Sequence, residues 1–151
     1  MPVKPVPEGY HTVTPYLVVR GAAKTIEFDK KAFGAEVVEE LKRPDGTIMH
    51  AEFKIGDSRV MIADASEQHP PMPAMLHLYV PNVDAVYQRA VAAGASSIME
   101  PMDQFYGDRS GGVKDPAGTQ WYIGTHKEDV APQELKKRAE AHLKARQGQA
   151  A

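Results

Sequence analysis

The stretch Phe105-Tyr-Gly-Asp-Arg-Ser-Gly-Gly-Val-Lys-Asp-Pro-Ala-Gly-Thr-Gln-Trp-Tyr-Ile-Gly-Thr-His126 carries turn chemistry at its centre. In Asp115-Pro116-Ala117-Gly118 the proline presets φ and the glycine accepts a positive φ, which predicts a tight reversal. On one side lies a glycine-rich strand, Arg109 to Lys114. On the other, Thr119 to Ile123 is aromatic and β-branched, as a pleated, half-buried surface requires. Alone this is a β-hairpin and implies no chemistry. It decides the fold because an earlier part of the chain follows the same plan.

Upstream of the hairpin, Met75 to Val80 reads as a strand. Asp84 is the expected cap of a helix over about 84–93, with Val86, Ala90 and Val91 inward and Gly94 closing it. Ser96 to Met99 is a short strand. The first half repeats this order. Thr12 to Val19 is a strand, and a helix over about 23–33 presents Ile26, Phe28 and Phe33, with Gly34 at its C-cap. Glu36 to Leu41, a turn at Arg43-Pro-Asp-Gly46, Ile48 to Ile55 and Arg59 to Ala63 complete it. Alternation along Ile48 to Ile55 predicts Met49, Ala51, Phe53 and Ile55 beneath a helix, with Ile48, His50, Glu52 and Lys54 on the other face. Phe-Gly-Ala-Glu at 33–36 and Ala-Gly-Ala-Ser at 93–96 occupy equivalent places sixty residues apart. Such tandem units usually share one core because neither buries its apolar face alone.

A proline-rich linker, 65–74, joins the halves, and a proline-bearing arm precedes the first strand. After residue 130 a helix begins, with Pro132 in its first turn and a thin stripe of Leu135, Ala139 and Leu143. That stripe suits a solvated surface helix, or one lying over a partner subunit.

Composition narrows the function classes. The chain has 151 residues, 42% hydrophobic and 25% charged, with 18 basic against 20 acidic side chains. A net charge of −2 gives no electrostatic case for nucleic acid or an anionic membrane surface. There is no cysteine, so disulfides, thiolate metal sites and cysteine nucleophiles are excluded. The amino end lacks the apolar core of a signal peptide and no run has membrane-spanning length, so a cytoplasmic protein is expected.

Gly-Ala after each helix and Asp-Pro-x-Gly before the last strand resemble the vicinal oxygen chelate superfamily, which includes glyoxalase I, extradiol dioxygenases, fosfomycin-resistance enzymes and bleomycin-binding proteins. Phe105–Arg109, Asp115–Gly118, Thr125–Asp129, Ile48–Phe53 and His77–Val80 resemble its PhnB-like branch. The resemblance implies an α+β fold of two tandem βαβββ modules, at about 11–64 and 75–126, forming curved mixed sheets around a cavity. These make one domain over 1–130, followed by a C-terminal helical tail at 131–151. It also implies a homodimer.

Chelating members of the superfamily hold a divalent metal with one side chain from the first and one from the last strand of each module. The matching positions here are Thr14, Met61, Met75 and Tyr122. Hydroxyl, thioether and phenol groups are poor ligands for such an ion. No cofactor is expected, and a divalent metal is disfavoured. Tyr16 shares a face with Thr14, His77 with Met75, and Gln120 with Tyr122. With His50 and Glu52 they would converge on the cavity. His50 and Glu52 read either as a general base with its orienting acid or as a structural pair satisfying each other's hydrogen bonds. Adding His77 would supply ligand types for a displaced metal site. Phe105 and Tyr106, flanked by Gly107, have the composition of a lid. Arg109 is expected to pair with Asp108 or to reach an anionic ligand. His126 is expected after the last strand, facing solvent or an interface.

Two functions of different class follow. The first is binding of a small aromatic or amphipathic molecule without a chelated metal, with ligand contacts from Thr14, Tyr16, Met61, Met75, Phe105, Tyr106, Arg109 and Gln120. The second is a metal-independent enzyme using His50, Glu52, His77 or Tyr122. A divergent metalloenzyme with rearranged ligands is third.

Overall fold

Two four-stranded mixed sheets, each with one helix on its inner face, make up the body of the computed structural model, which describes residues 2–150. The first sheet has the order β1-β4-β3-β2, from β1 (Tyr16–Val19), β2 (Glu36–Lys42), β3 (Ile48–Ile55) and β4 (Ser58–Asp64). The second repeats it as β5-β8-β7-β6, from β5 (Met75–Tyr79), β6 (Ser96–Asp103), β7 (Asp108–Lys114) and β8 (Gln120–His126). In each, the first strand runs parallel to the last and the other neighbours are antiparallel. The helices α1 (Ala22–Phe33) and α2 (Val83–Ala92) cross from the first strand of each module to the second. A third helix, α3 (Pro132–Ala150), follows the second sheet. No described helix is long and apolar enough to cross a membrane.

One core serves both modules. Leu17, Ile26, Phe28, Phe53 and Ile62 from the first join Val83, Val86, Val113, Trp121 and Ile123 from the second. Phe33, at the end of α1, lies 4.8 Å from Trp121 between ring centroids and links the two halves. Trp121 and Phe53 are fully buried; each such side chain contributes roughly 2–3 kcal/mol of transfer free energy. That shared core is the physical reason for the repeat.

The Asp115–Gly118 turn is held by its own first side chain. Asp115 accepts from the backbone N–H groups of Ala117 and Thr119 with Oδ1, and from the Trp121 indole with Oδ2. One buried carboxylate thus fixes the reversal and aims the largest core side chain. In module one a strand-end carboxylate does comparable work on a helix. Gly21, at φ 79°, starts α1 without a side-chain cap of its own. Asp64 supplies it from β4, accepting from the N–H groups of Gly21 and Ala22 with Oδ1 and of Ile48 with Oδ2.

Several expected details differ. β1 starts at Tyr16, so Thr14 lies before it, separated by Pro15, whose carbonyl accepts from Met61. The β2–β3 register shifts between Leu41 and Lys42. This bulge turns Ile48 into the core and leaves Met49 half-exposed, the reverse of a strict alternation. Asn82, not Asp84, caps α2 by accepting from Ala85. Val91 is exposed rather than inward. β6 runs on to Asp103, and β8 reaches His126, which therefore ends the strand rather than following it. On α3 the covered positions are Leu135, Arg138, Ala139 and His142, while Leu143 is exposed. Arg138 anchors this helix by donating to the Phe105 carbonyl and pairing with Glu128 and Glu134. His142 stacks 4.8 Å from Phe105.

Each sheet covers one face with helix and core and leaves the other open. On sheet one the cross-strand pairs Tyr16–Met61, Glu52–Met61 and His50–Leu41 put those side chains on the open face. On sheet two the pairs Met75–Gln120, His77–Tyr122 and Tyr122–Gly112 do the same.

Candidate functional site

The open face of module one assembles a directed chain of polar side chains. The Tyr16 hydroxyl lies 2.9 Å from His50 Nδ1, and His50 Nε2 lies 3.2 Å from Glu52 Oε1. Glu52 is held below the ordinary carboxylate range, chiefly by the Tyr10 hydroxyl and then by His50, against the opposing effect of burial. An ionised carboxylate only accepts, so His50 must donate to it through Nε2. In the neutral ring this leaves the Nδ1 lone pair for the Tyr16 proton. The chain therefore runs Tyr16 O–H to His50 Nδ1, and His50 Nε2–H to Glu52. Both inner members are mostly shielded, with side-chain exposures of 24% and 15%.

Tyr16 also walls a pocket of about 550 Å³ with Val18, Met49, Ala63 and Met72, and with Arg43, Asp64 and His69 as its polar members. The linker forms part of this pocket because the Met72 N–H bonds to the Val18 carbonyl. At the other end of the same face, the arm lies over the sheet. Tyr10, Thr14, Glu52 and Met61 share a smaller pocket of about 260 Å³ with Pro5 and Val6. The Arg59 guanidinium sits 5.3 Å from the Tyr10 ring centroid. The Tyr10 hydroxyl is shut away from solvent short of well-aligned hydrogen-bond geometry. Burial first, and the negative Glu52 second, push its pKa up to about 12. Tyr10 carries no signal in the sequence, since a proline-rich arm gives no periodicity from which to read a packed side chain.

Module two is wired differently. Gly112 and Gly124 leave room for rings to lie on the sheet. A Cβ at Gly112 would meet the Tyr122 ring at 2.9 Å, and one at Gly124 would meet His77 Nε2 at 3.2 Å. His77 packs edge-on against Tyr79 at 4.7 Å. The Tyr79 hydroxyl donates to Asp108, which also bonds His126 Nδ1, while His126 Nε2 contacts Asp129. Asp129 and then Asp108 raise the His126 pKa above its ordinary value of 6.5. Asp108 escapes the sequence reading because that reading starts the strand at Arg109, whereas β7 begins at Asp108 itself.

The sequence profile of the glyoxalase/bleomycin resistance protein/dioxygenase superfamily matches residues 10–123. The chain belongs to this superfamily. An uncharacterised protein of Mycobacterium bovis is 37% identical, the match spanning 82% of this chain and 88% of that one. Among solved structures, TioX from Micromonospora superposes with a TM-score of 0.62 at 22% identity, over 77% of this chain and 98% of that one. A PhnB protein from Bacillus cereus gives 0.60 at 19% identity, over 76% and 99%. Likenesses at this level of identity speak for the fold alone.

The superfamily's usual metal does not fit the donors present. Met61 faces Tyr16 across the β1–β4 pairing, and Tyr122 faces His77 across β5–β8. Thr14 lies beside Met61, and Met75 lies two residues before His77. Neither facing pair offers two strong ligands for a divalent ion; the quartet holds one imidazole, two phenols and a thioether. The displaced set His50, Glu52 and His77 is not brought together within the chain, because His77 stands on the other sheet. Among the described residues, no group of three or more His, Asp or Glu is placed to hold a metal.

Other expected site residues are redistributed. His50, Glu52, Tyr16 and Met61 share one open face, and Met75, His77, Gln120 and Tyr122 share the other. Arg109 leaves the site entirely. It donates to both Asp84 oxygens at 2.8 and 2.9 Å and approaches Asp103 at 3.4 Å. It does not pair with Asp108, because adjacent strand residues point to opposite faces. Phe105 and Tyr106 form a tied turn rather than a lid. The Gly107 carbonyl accepts from Lys127 and Glu128, and a Cβ at Gly107 would meet the Glu128 carbonyl oxygen at 2.5 Å.

Proposed function

We propose that this protein binds a small aromatic or amphipathic molecule on the open face of module one, without a chelated metal, and that it works as a homodimer. The carrying observation is the pocket of about 550 Å³ whose walls are Tyr16, Val18, Met49 and Met72. Its size lies in the range of about 300–1,000 Å³ usual for small-molecule sites, and an apolar wall with few polar members is their usual make-up. The dimer is supported by apolar side chains left uncovered on both open faces. Tyr16 is 48% exposed and Met49 49%, while Met75 and Tyr79 are each 66% exposed. Large apolar side chains exposed on both faces suit a partner rather than water. A second copy laid over these faces would bring His77 and Tyr122 of one protomer towards the pocket of the other.

The test is calorimetric titration of aromatic candidates, selected by thermal shift, into wild-type protein and Tyr16→Ala. Binding that weakens at least tenfold in Tyr16→Ala, and that chelator treatment leaves unchanged, supports the reading. Binding that requires an added divalent ion overturns it. Sedimentation of Met75→Lys tests the dimer, which that variant should dissociate.

The Tyr16–His50–Glu52 chain favours a second reading, acid–base catalysis without metal. His50 would take a proton through Nδ1 while Glu52 stabilises the resulting imidazolium. On this reading His50→Gln abolishes turnover while retaining affinity. Unchanged turnover would remove the enzyme hypothesis.

A further inference from the structure

A separate cleft of about 500 Å³ lies between the modules and shares no residue with the open-face pocket. Module one contributes Phe33 from α1 and the β3–β4 turn at Ile55–Ser58. Module two contributes the free edge of β5 and the residue after it, from His77 to Val80 and so including two residues of its open face, together with Val86 and Arg89 of α2. Phe33, Ile55, Leu78 and Val80 belong to the rim of the shared core yet remain partly open to solvent here. Phe33 brings one ring to the cleft; behind it, in the core, Phe28 lies edge-on at 5.7 Å and Trp121 at 4.8 Å.

The cleft carries one formal charge of each sign, on opposite walls. Arg89 is exposed and makes no ion pair among the described residues. By contrast Arg109 and Arg138, also associated with module two, are each engaged by two acidic side chains. Asp57 rims the opposite wall, with its carboxylate accepting from Ser58. A ligand with one negative charge can direct it to Arg89 and away from Asp57, while a second charge would meet repulsion. The Phe33 ring among Ile55, Leu78, Val80 and Val86 calls for a flat apolar body.

We infer that the intermodular cleft is a second ligand site, for a flat aromatic monoanion whose acidic group pairs with Arg89 and whose ring lies over Phe33. The inference does not depend on what occupies the open-face pocket.

The probe is naphthoate, with neutral naphthalenemethanol as its control, titrated into the full chain by calorimetry and by nitrogen–proton correlation spectra. Trp121 is the single tryptophan, so its indole N–H gives one signal, and it lies against the ring that the probe should cover. One naphthoate should bind per chain and shift that signal, and the neutral alcohol should bind more weakly. Arg89→Ala should weaken naphthoate about tenfold, the size of one lost charge-assisted contact. Ser58→Tyr, a bulkier side chain at the rim, should also weaken it, whereas Tyr16→Ala should leave it unchanged. Equal binding of acid and alcohol, an unmoved Trp121 signal, or wild-type affinity in Arg89→Ala would overturn the proposal. Loss of naphthoate binding in Tyr16→Ala would overturn it too, by placing the probe on the open face. Failure of the open-face reading appears separately, as ligands selected there whose binding ignores Tyr16.

Discussion

Module one and module two have the same strand order and the same parallel pairing of first and last strands, yet they spend their polar groups differently. Module one keeps a pocket and a relay on its open face, with Tyr16, His50 and Glu52 in sequence and the arm over one end. Module two lets rings lie on glycines and locks its face through Tyr79, Asp108, His126 and Asp129. The lesson is that a duplicated fold preserves backbone topology while side-chain volume decides what lies on each open face. Gly112 and Gly124 fill module two by admitting rings. In module one the bulge at the start of β3 exposes Met49 and leaves room beside it.

The largest effects should come from the carboxylate that organises each module. Asp115→Ala leaves three donors without their acceptor, one of them the buried Trp121 indole, and should cost about 4 kcal/mol. Asp64→Ala also strands three donors, but at a less buried position, and should cost about 2 kcal/mol. Urea unfolding of both variants measures the difference. Equal losses would break the contrast between a core-organising and a helix-capping carboxylate.

Gly112→Ala should be next. The new methyl meets Tyr122 at 2.9 Å, so the ring must leave the sheet, at roughly 1–3 kcal/mol of overpacking. A wild-type melting temperature in this variant would show that module two is not filled by that ring.

The third effect is a pH slope. Asp29 is fully buried on α1, and neither of its carboxyl oxygens has a hydrogen-bond partner. Burial, and then the negative Asp115, hold its pKa well above the ordinary 3.8. Its proton therefore stays on in the fold while the unfolded chain loses it. Stability from this group is full below pH 3.8, falls as pH rises towards the folded pKa, and levels off above it. Asp29→Asn should flatten that slope, read as melting temperature against pH. An unchanged slope would remove Asp29 as its source.

The smallest effect has the opposite origin. His126 has a raised pKa, so its stabilisation is complete below 6.5 and is lost as pH rises through the folded value. Half-exposed as it is, His126→Gln should remove only a slight decline on the alkaline side of neutrality. A large change would mean that module two's network carries more of the fold than its exposure suggests.

Much of the architecture was legible locally. Asp115-Pro-Ala-Gly118 specifies its own reversal because the acceptor, the φ-setter and the positive-φ residue are within four positions. Gly34 likewise marks the end of α1, with φ at 70°. The candidate site was legible only in part. Alternation put His77 with Met75 and Gln120 with Tyr122 along their strands, while the pairing of Tyr16 with Met61 and of His77 with Tyr122 came from the sheet register. It failed at Met49 and Ile48, where a one-residue bulge inverts the faces, since nothing in a hydrophobic pattern announces an extra residue. It failed again at Arg109, whose partners Asp84 and Asp103 are brought to it by α2 and β6.

The sequence by itself determined the two βαβββ units, their order and the turns between strands, because these depend on residue type and near-neighbour spacing. Tertiary structure alone decided that the two polar sets occupy different sheets, that Tyr10 closes over Glu52, and that Arg89 overlooks the intermodular cleft. These are contacts between segments far apart in the chain, and they exist only once α1 and α2 have packed the modules onto one core.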